Sequence, residues 1–176
     1  EGEVHEADAD RVTIGAEVAS YRTRKASLTA GKRFDNGGEG LVSVSDSNSS
    51  GIDRYFPEYD DAASNHGIAT GLDTERSKRL FAKYAFEDLT LTSFVSERFK
   101  GIPTASFGQQ FNDPRSHTVD RYFVATAAFQ HALSKTLDLS ANLNFTRYHY
   151  SGDYAYTADA AGLNHDVARS DAVTAD

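Results

Sequence analysis

Between Leu137 and Thr146 the chain alternates apolar and polar side chains without a break. Leu137, Leu139, Ala141, Leu143 and Phe145 fall on one side of an extended segment, and Asp138, Ser140, Asn142, Asn144 and Thr146 on the other. A period of two over ten residues specifies a strand with one greasy face and one wet face. Such a strand can be satisfied in two ways. Its greasy face meets a protein core while the other meets water, or it meets lipid while the other lines an aqueous interior.

The same texture recurs along the chain. Residues 10–21 place Val12, Ile14, Ala16 and Val18 together. Residues 25–34 set Ala26, Leu28 and Ala30 against Lys25, Ser27, Thr29 and Arg33. Shorter or equal runs follow at 39–46, 79–86, 89–98 and 119–130, the last with an ambiguous face. With the first stretch they make seven expected strands. DNGG (35–38), Glu87-Asp88 and HALSKT (131–136) read as short hairpin links. Residues 47–78, 99–118 and 151–168 lack clear periodicity and read as long loops. Structureless loops of that length are unusual in a compact soluble domain. Short turns at one end and long loops at the other are the pattern of a membrane barrel. The short link RTR (22–24) is the exception at the long-loop end.

Composition narrows the classes further. The net charge of −8, with no basic stripe, argues against a nucleic-acid partner. With no Cys, thiolate and disulfide chemistry are excluded. No run approaches the ~18 apolar residues of a membrane helix, whereas barrel strands are only half apolar and pass such a filter. The expected strands are nearer the ~9–11 residues of a membrane strand than the ~5–6 of a soluble one. Aromatics near strand ends (Phe34, Phe86, Phe99, Tyr122, Phe123, Tyr148, Tyr150) are placed as interfacial girdles would be, although aromatics are common in strands generally. The chain opens on Glu1 with no charged-then-apolar leader, which points to a processed or partial chain.

Candidate chemistry concentrates in the first long loop. DRYFPEYDD (53–61) offers Arg54 for carboxylates and Tyr55, Phe56 and Tyr59 for stacking, and Arg76 lies a little further on. These could contact a cationic or iron-bearing ligand; equally, the segment could be a solvated loop whose acids serve turns. Asp60, Asp61 and His66 carry oxygen and nitrogen donors, but their spacing matches no calcium loop or zinc pattern, so no metal or cofactor is expected. No nucleophile elbow, HExxH or phosphate loop is present, and no catalytic residue is expected. Lys83 and Arg33 are expected on the wet face.

The segments GIDRYFPEYDD (51–61) and GIATGLDTERSKRLFAKYAF (67–86), with the loop GIPTASFGQQFNDPR (101–115), resemble the early barrel region of TonB-dependent receptors. ASYRTRKASLTAGKRFDNGGEGLVSVSDSNSSG (19–51) resembles the first hairpin and third strand of that barrel. The resemblance covers about residues 10–168, flanked by an acidic flexible stretch at 1–9 and a truncated tail at 169–176. It implies an all-β, antiparallel transmembrane barrel fragment of about seven strands with long extracellular loops, in the outer membrane of a Gram-negative bacterium. It further implies outer-membrane lipid around the barrel and a small-molecule or metal-chelate ligand at the outer loops. Energy-coupled uptake of a scarce nutrient (siderophore-iron, cobalamin or a glycan) would run through the TonB complex and a plug that this chain lacks. The family closes about 22 strands around its plug, far more than seven, and its last strand usually ends on an aromatic residue. The rival expectations are a soluble β-sandwich binding module and a small passive barrel or adhesin.

Overall fold

The computed structural model describes residues 10–176; the expected flexible stretch at 1–9 lies outside the described residues. The chain is all-β. Eight long strands form one antiparallel sheet: β1 (Arg11–Ala19), β2 (Thr23–Arg33), β3 (Glu39–Ser49), β6 (Glu75–Phe86), β7 (Leu89–Gly101), β8 (His117–Ser134), β9 (Leu137–Ala155) and β10 (Leu163–Ala175). The short strands β4 (Arg54–Tyr55) and β5 (Ile68–Ala69) pair separately as a ribbon. The long strands pair only with their neighbours in chain order, and β1 and β10 form the two edges. The sheet therefore does not close on itself.

An up-and-down meander puts alternate connections at opposite ends. One end has the tight links 34–38, 87–88 and 135–136, and the other carries 20–22, 50–74, 102–116 and 156–162. The expected division into a short-turn end and a long-loop end is present. The link 20–22 stays short because Tyr21 and Arg22 both adopt left-handed backbone (φ 62° and 55°), and the Thr23 amide donates to the Ser20 carbonyl at 3.2 Å. Two consecutive left-handed residues define the turn whose twist matches a hairpin.

Two expectations about extent change. The sheet has eight strands, because β10 takes up residues read as loop at 163–168 and as tail at 169–175. Its own alternation is weak, broken by Arg169 and Asp171, but continuous pairing from Leu163↔Ala155 to Ala175↔Leu143 holds it extended. Partner hydrogen bonding overrides a thin local pattern. In addition, β8 and β9 are 18 and 19 residues long. They absorb most of HALSKT and parts of the two later loops.

Residues paired directly across neighbouring strands share a face of the sheet. One face is largely apolar, built from rows such as Ile14, Leu28, Val44, Leu80, Val95 and Phe123; on β9 and β10 that row continues into the paired Arg147 and Asp171. A second row joins Tyr84, Leu91, Ala127 and Leu143. Near the turns Phe34 reaches across Gly40 to meet Tyr84 edge-on, ring centroids 6.0 Å apart; a Cβ at 40 would sit 3.1 Å from the Phe34 ring and press on it. Toward the loops the apolar face ends at a row that crosses six strands: Asp46, Lys78, Glu97, Arg121, His149 and Arg169. The Arg121 guanidinium pairs with Glu97 at 2.7 Å within it.

The opposite face is predominantly hydrophilic, although one row across it sets Phe81, Phe94 and Val124 side by side. It carries Ser43, Ser45, Ser47 and Ser49 on β3 and Thr126, Asn144 and Thr174 in one row across β8, β9 and β10. Thr29 and Ser43 hydroxyls meet at 2.8 Å, and the Thr126 hydroxyl donates to Asn144 at 2.9 Å. Lys83 and Arg33 are on this face, Arg33 paired with Glu39. The ambiguous 119–130 segment resolves: Phe123, Ala125, Ala127 and Phe129 share the apolar face, and Tyr122, Val124 and Thr126 the hydrophilic one.

Among the described residues no large side chain is fully buried. Leu91, Phe123 and Leu143 are all more than a third exposed. The few buried apolar residues (Ala69, Leu72, Ala105, Tyr154, Ala155) lie in or beside the long loops. The sheet has no core of its own; the loops do.

Candidate functional site

The long loops form one cap over the sheet's end. Pro57 fixes the first residue of a 3-10 turn (Pro57–Tyr59), and Asp61 caps the next (Ala62–Gly67) by accepting from the Ser64 amide at 2.8 Å. Gly67 then turns at φ +70°, where a Cβ would come within 2.5 Å of the Phe56 carbonyl oxygen. Only glycine fits that close approach. These turns bring the β4–β5 ribbon back on itself.

Phe111, from the 102–116 loop, inserts between two aromatics of the 50–74 loop. It stacks on Tyr59 with centroids 4.3 Å apart and meets Phe56 edge-on at 5.8 Å. The Asn112 side chain accepts from the Thr70 amide at 2.9 Å and ties the same two loops. Arg115 links to the third loop: it pairs with Asp113 at 2.6 Å and donates to the carbonyls of Thr157 and Asp159 at 2.5 and 2.9 Å. The Gln110 amide donates to the Ala155 carbonyl at 2.6 Å. At the base of the first loop Asp73 accepts from Lys100 at 2.6 Å and from Arg54 at 3.0 Å.

These contacts set the charge states. Burial disfavours ionised Asp73, but hydrogen bonds and charge from Lys100 and Arg54 outweigh it and hold the carboxyl below its ordinary value. Arg115 does the same for Asp113, more directly. A carboxyl depressed in the folded state stabilises that state above its unfolded value and loses the contribution as pH falls through the folded one. The cap should therefore stay closed at neutral pH and loosen as pH drops below about 3.8, the ordinary aspartate value. Pepsin nicking at 102–116, normalised to an unstructured control peptide, should rise there; a flat normalised rate through that window would contradict the assignment.

The residues singled out from the sequence fall into three settings. Arg54 and Tyr55 are exposed on the ribbon, Arg54 engaged by Asp73 and the Tyr55 hydroxyl donating to Asp60 at 2.9 Å. Phe56 and Tyr59 clamp Phe111 and so hold loop to loop. Arg76 is separate: it sits on β6 in a row with Asn48 and Phe99, on the face that carries the apolar belt. Asp60 and Asp61 are occupied by Tyr55 and the Ser64 amide. Among the described residues no group of three or more His, Asp or Glu is gathered as a metal would need.

Tyr122, Tyr148 and Tyr150, read as girdle residues, point to the hydrophilic face, where Tyr122 and Tyr148 stack at 4.5 Å. The signal was present: Tyr148 and Tyr150 have the same parity as Asp138, Ser140, Asn142 and Asn144. Phe34, Phe86, Phe99 and Phe123 do lie on the apolar face.

Comparison of the chain with protein-family models, with curated proteins and with solved structures finds no match. The likeness to TonB-dependent receptors rests on the sequence resemblance, and the sheet and its loops supply the geometry.

Proposed function

We propose that this chain is part of the wall of an outer-membrane β-barrel, in a TonB-dependent receptor-like transporter that captures a scarce nutrient at its outer loops. The observation that carries the reading is the two-sided sheet: an apolar belt, interrupted on β9 and β10 by the Arg147–Asp171 pair, that ends at a row of charged residues, backed by a face rich in serine and threonine. Lipid is the solvent that suits such a belt, and water or a plug suits the other face. The dimensions agree. Leu137–Phe145 spans about 27 Å of strand, or about 20 Å of bilayer height at a tilt near 40°.

Several features support the orientation. The tied loop cap lies beyond the charged row, where an outer ligand-capturing surface belongs, and the tight turns lie at the opposite end. A soluble sandwich would need a second layer across the belt; no described element packs there, and a hollow of about 810 Å³ on that face, lined by Phe34, Tyr84, Leu91, Phe123, Leu143 and Phe145, is where such a layer would sit. An open sheet edge is not tolerated in hydrocarbon, so in a membrane β1 and β10 must pair, with each other, with a second copy or with further strands. Uptake would proceed by capture at the cap and passage along the hydrophilic face.

Phase partitioning tests this. The chain should enter detergent micelles or float with liposomes, with its strands protected from protease and the cap accessible. A monodisperse species in plain buffer with a cooperative melt would overturn the membrane reading.

A further inference from the structure

The hydrophilic face is not uniformly polar. Tyr122 and Tyr148 stack across β8 and β9, and Tyr150 follows on the same face about 7 Å along the strand. Toward the cap the Tyr150 and Tyr154 hydroxyls meet over Gly152. A Cβ there would collide with the Tyr150 hydroxyl and come within 2.7 Å of the Tyr154 ring. Phe107, 72% exposed on the cap, packs edge-on against Tyr154 at 6.2 Å. Its amide is pinned by the Gln109 side chain at 2.9 Å, so the exposed ring is held by a built turn. The result is an aromatic track from the cap down the wet face.

Its surroundings limit what it can bind. The register sets Ser96 directly across from Tyr122 and Ser170 directly across from Tyr148, so the residue facing the outer side of each ring is a short hydroxyl. Tyr122 is 43% exposed. Arg98 pairs with Glu75 at 2.8 Å and stands opposite Asp120, which accepts the Tyr148 hydroxyl at 2.6 Å and keeps its negative charge beside the rings. Ring faces that alternate with hydroxyls and a carboxylate acceptor suit a ligand with apolar C–H faces, an equatorial rim of hydroxyl donors and no anionic group.

We infer that this track binds a neutral oligosaccharide, its sugar rings laid on Tyr122, Tyr148 and Tyr150. The inference rests on the proposed reading only for which face is wet, and it narrows the three nutrient classes to a glycan.

The test is calorimetric titration of the full chain in detergent with maltohexaose, cellohexaose and xylohexaose, with ferric citrate as the anionic contrast. At least one hexasaccharide should bind. Tyr122→Leu and Tyr148→Leu should each weaken it about tenfold or more, the loss of one stacked ring. Tyr122→Phe, which keeps the ring, and Phe123→Leu, on the other face, should bind as wild type. Should a leucine variant fail to fold, Ser170→Leu blocks the open side of the Tyr148 ring without touching a tyrosine and should weaken binding equally. No binding by any hexasaccharide, binding of ferric citrate in their place, or affinity indifferent to these ring substitutions would overturn the inference. Partitioning separates the two proposals. A chain that enters micelles and binds no sugar sinks only the track, whereas one that binds sugar while staying in buffer sinks only the membrane reading.

Discussion

Leu91→Arg should cost about 1–2 kcal/mol of folding free energy into lipid vesicles, between the midplane and interface values for an arginine facing lipid. Its neighbour Thr90→Arg should cost less than about 0.5 kcal/mol, as for an ordinary surface change. The contrast follows from one step along β7. Leu91 is 43% exposed on the apolar face, in a row with Tyr84, Ala127 and Leu143, well below the charged row that contains Glu97. Thr90 projects to the other face, in a row with Ala85 and Ala128. Equilibrium urea titration in vesicles of both variants reads the difference. If the belt faced water, Leu91→Arg would be neutral and the chain more soluble. Equal effects at 90 and 91 would mean that the two faces are not different solvents.

How far the sequence reached depends on whether the determinant was local. The faces of β1, β2, β3, β6 and β9 follow from two-residue alternation, because a pleated strand has no other way to sort its side chains. Leu137–Phe145 is the plainest case. In β10 the determinant is the partner: Val167, Arg169, Asp171 and Val173 share a parity that no rule of burial would choose, and register with β9 aligns Asp171 with Arg147, which it binds at 2.8 Å. The strand was legible only once its neighbour was in place. The same holds for the extension of β8 and β9 into segments read as loop. Tyr148 and Tyr150 are different, since their parity was readable and a preference for aromatics at interfaces displaced it. In the cap, the DRYFPEYDD residues stood out by type, yet the use of Phe56 and Tyr59 depends on Phe111, which lies fifty or so residues away and has no pattern of its own.

Phe111→Ala should open the cap. The ring is half-buried between Phe56 and Tyr59, so its removal takes two aromatic contacts and leaves a gap that the short 3-10 turns cannot close. A fully buried phenylalanine costs about 3–5 kcal/mol when truncated; half-burial and the aromatic pair terms put this one at about 2 kcal/mol. The loss should be local, because the sheet has no core that depends on the cap. Protease should therefore cut 50–74 and 102–116 faster while strand content by circular dichroism stays unchanged. Phe111→Leu should recover part of the effect through volume but not the stack on Tyr59. Loss of the whole sheet in Phe111→Ala would mean that the cap, with its buried Ala69, Leu72 and Ala105, is the folding core of the chain rather than a separable lid on a wall held together by its ladders.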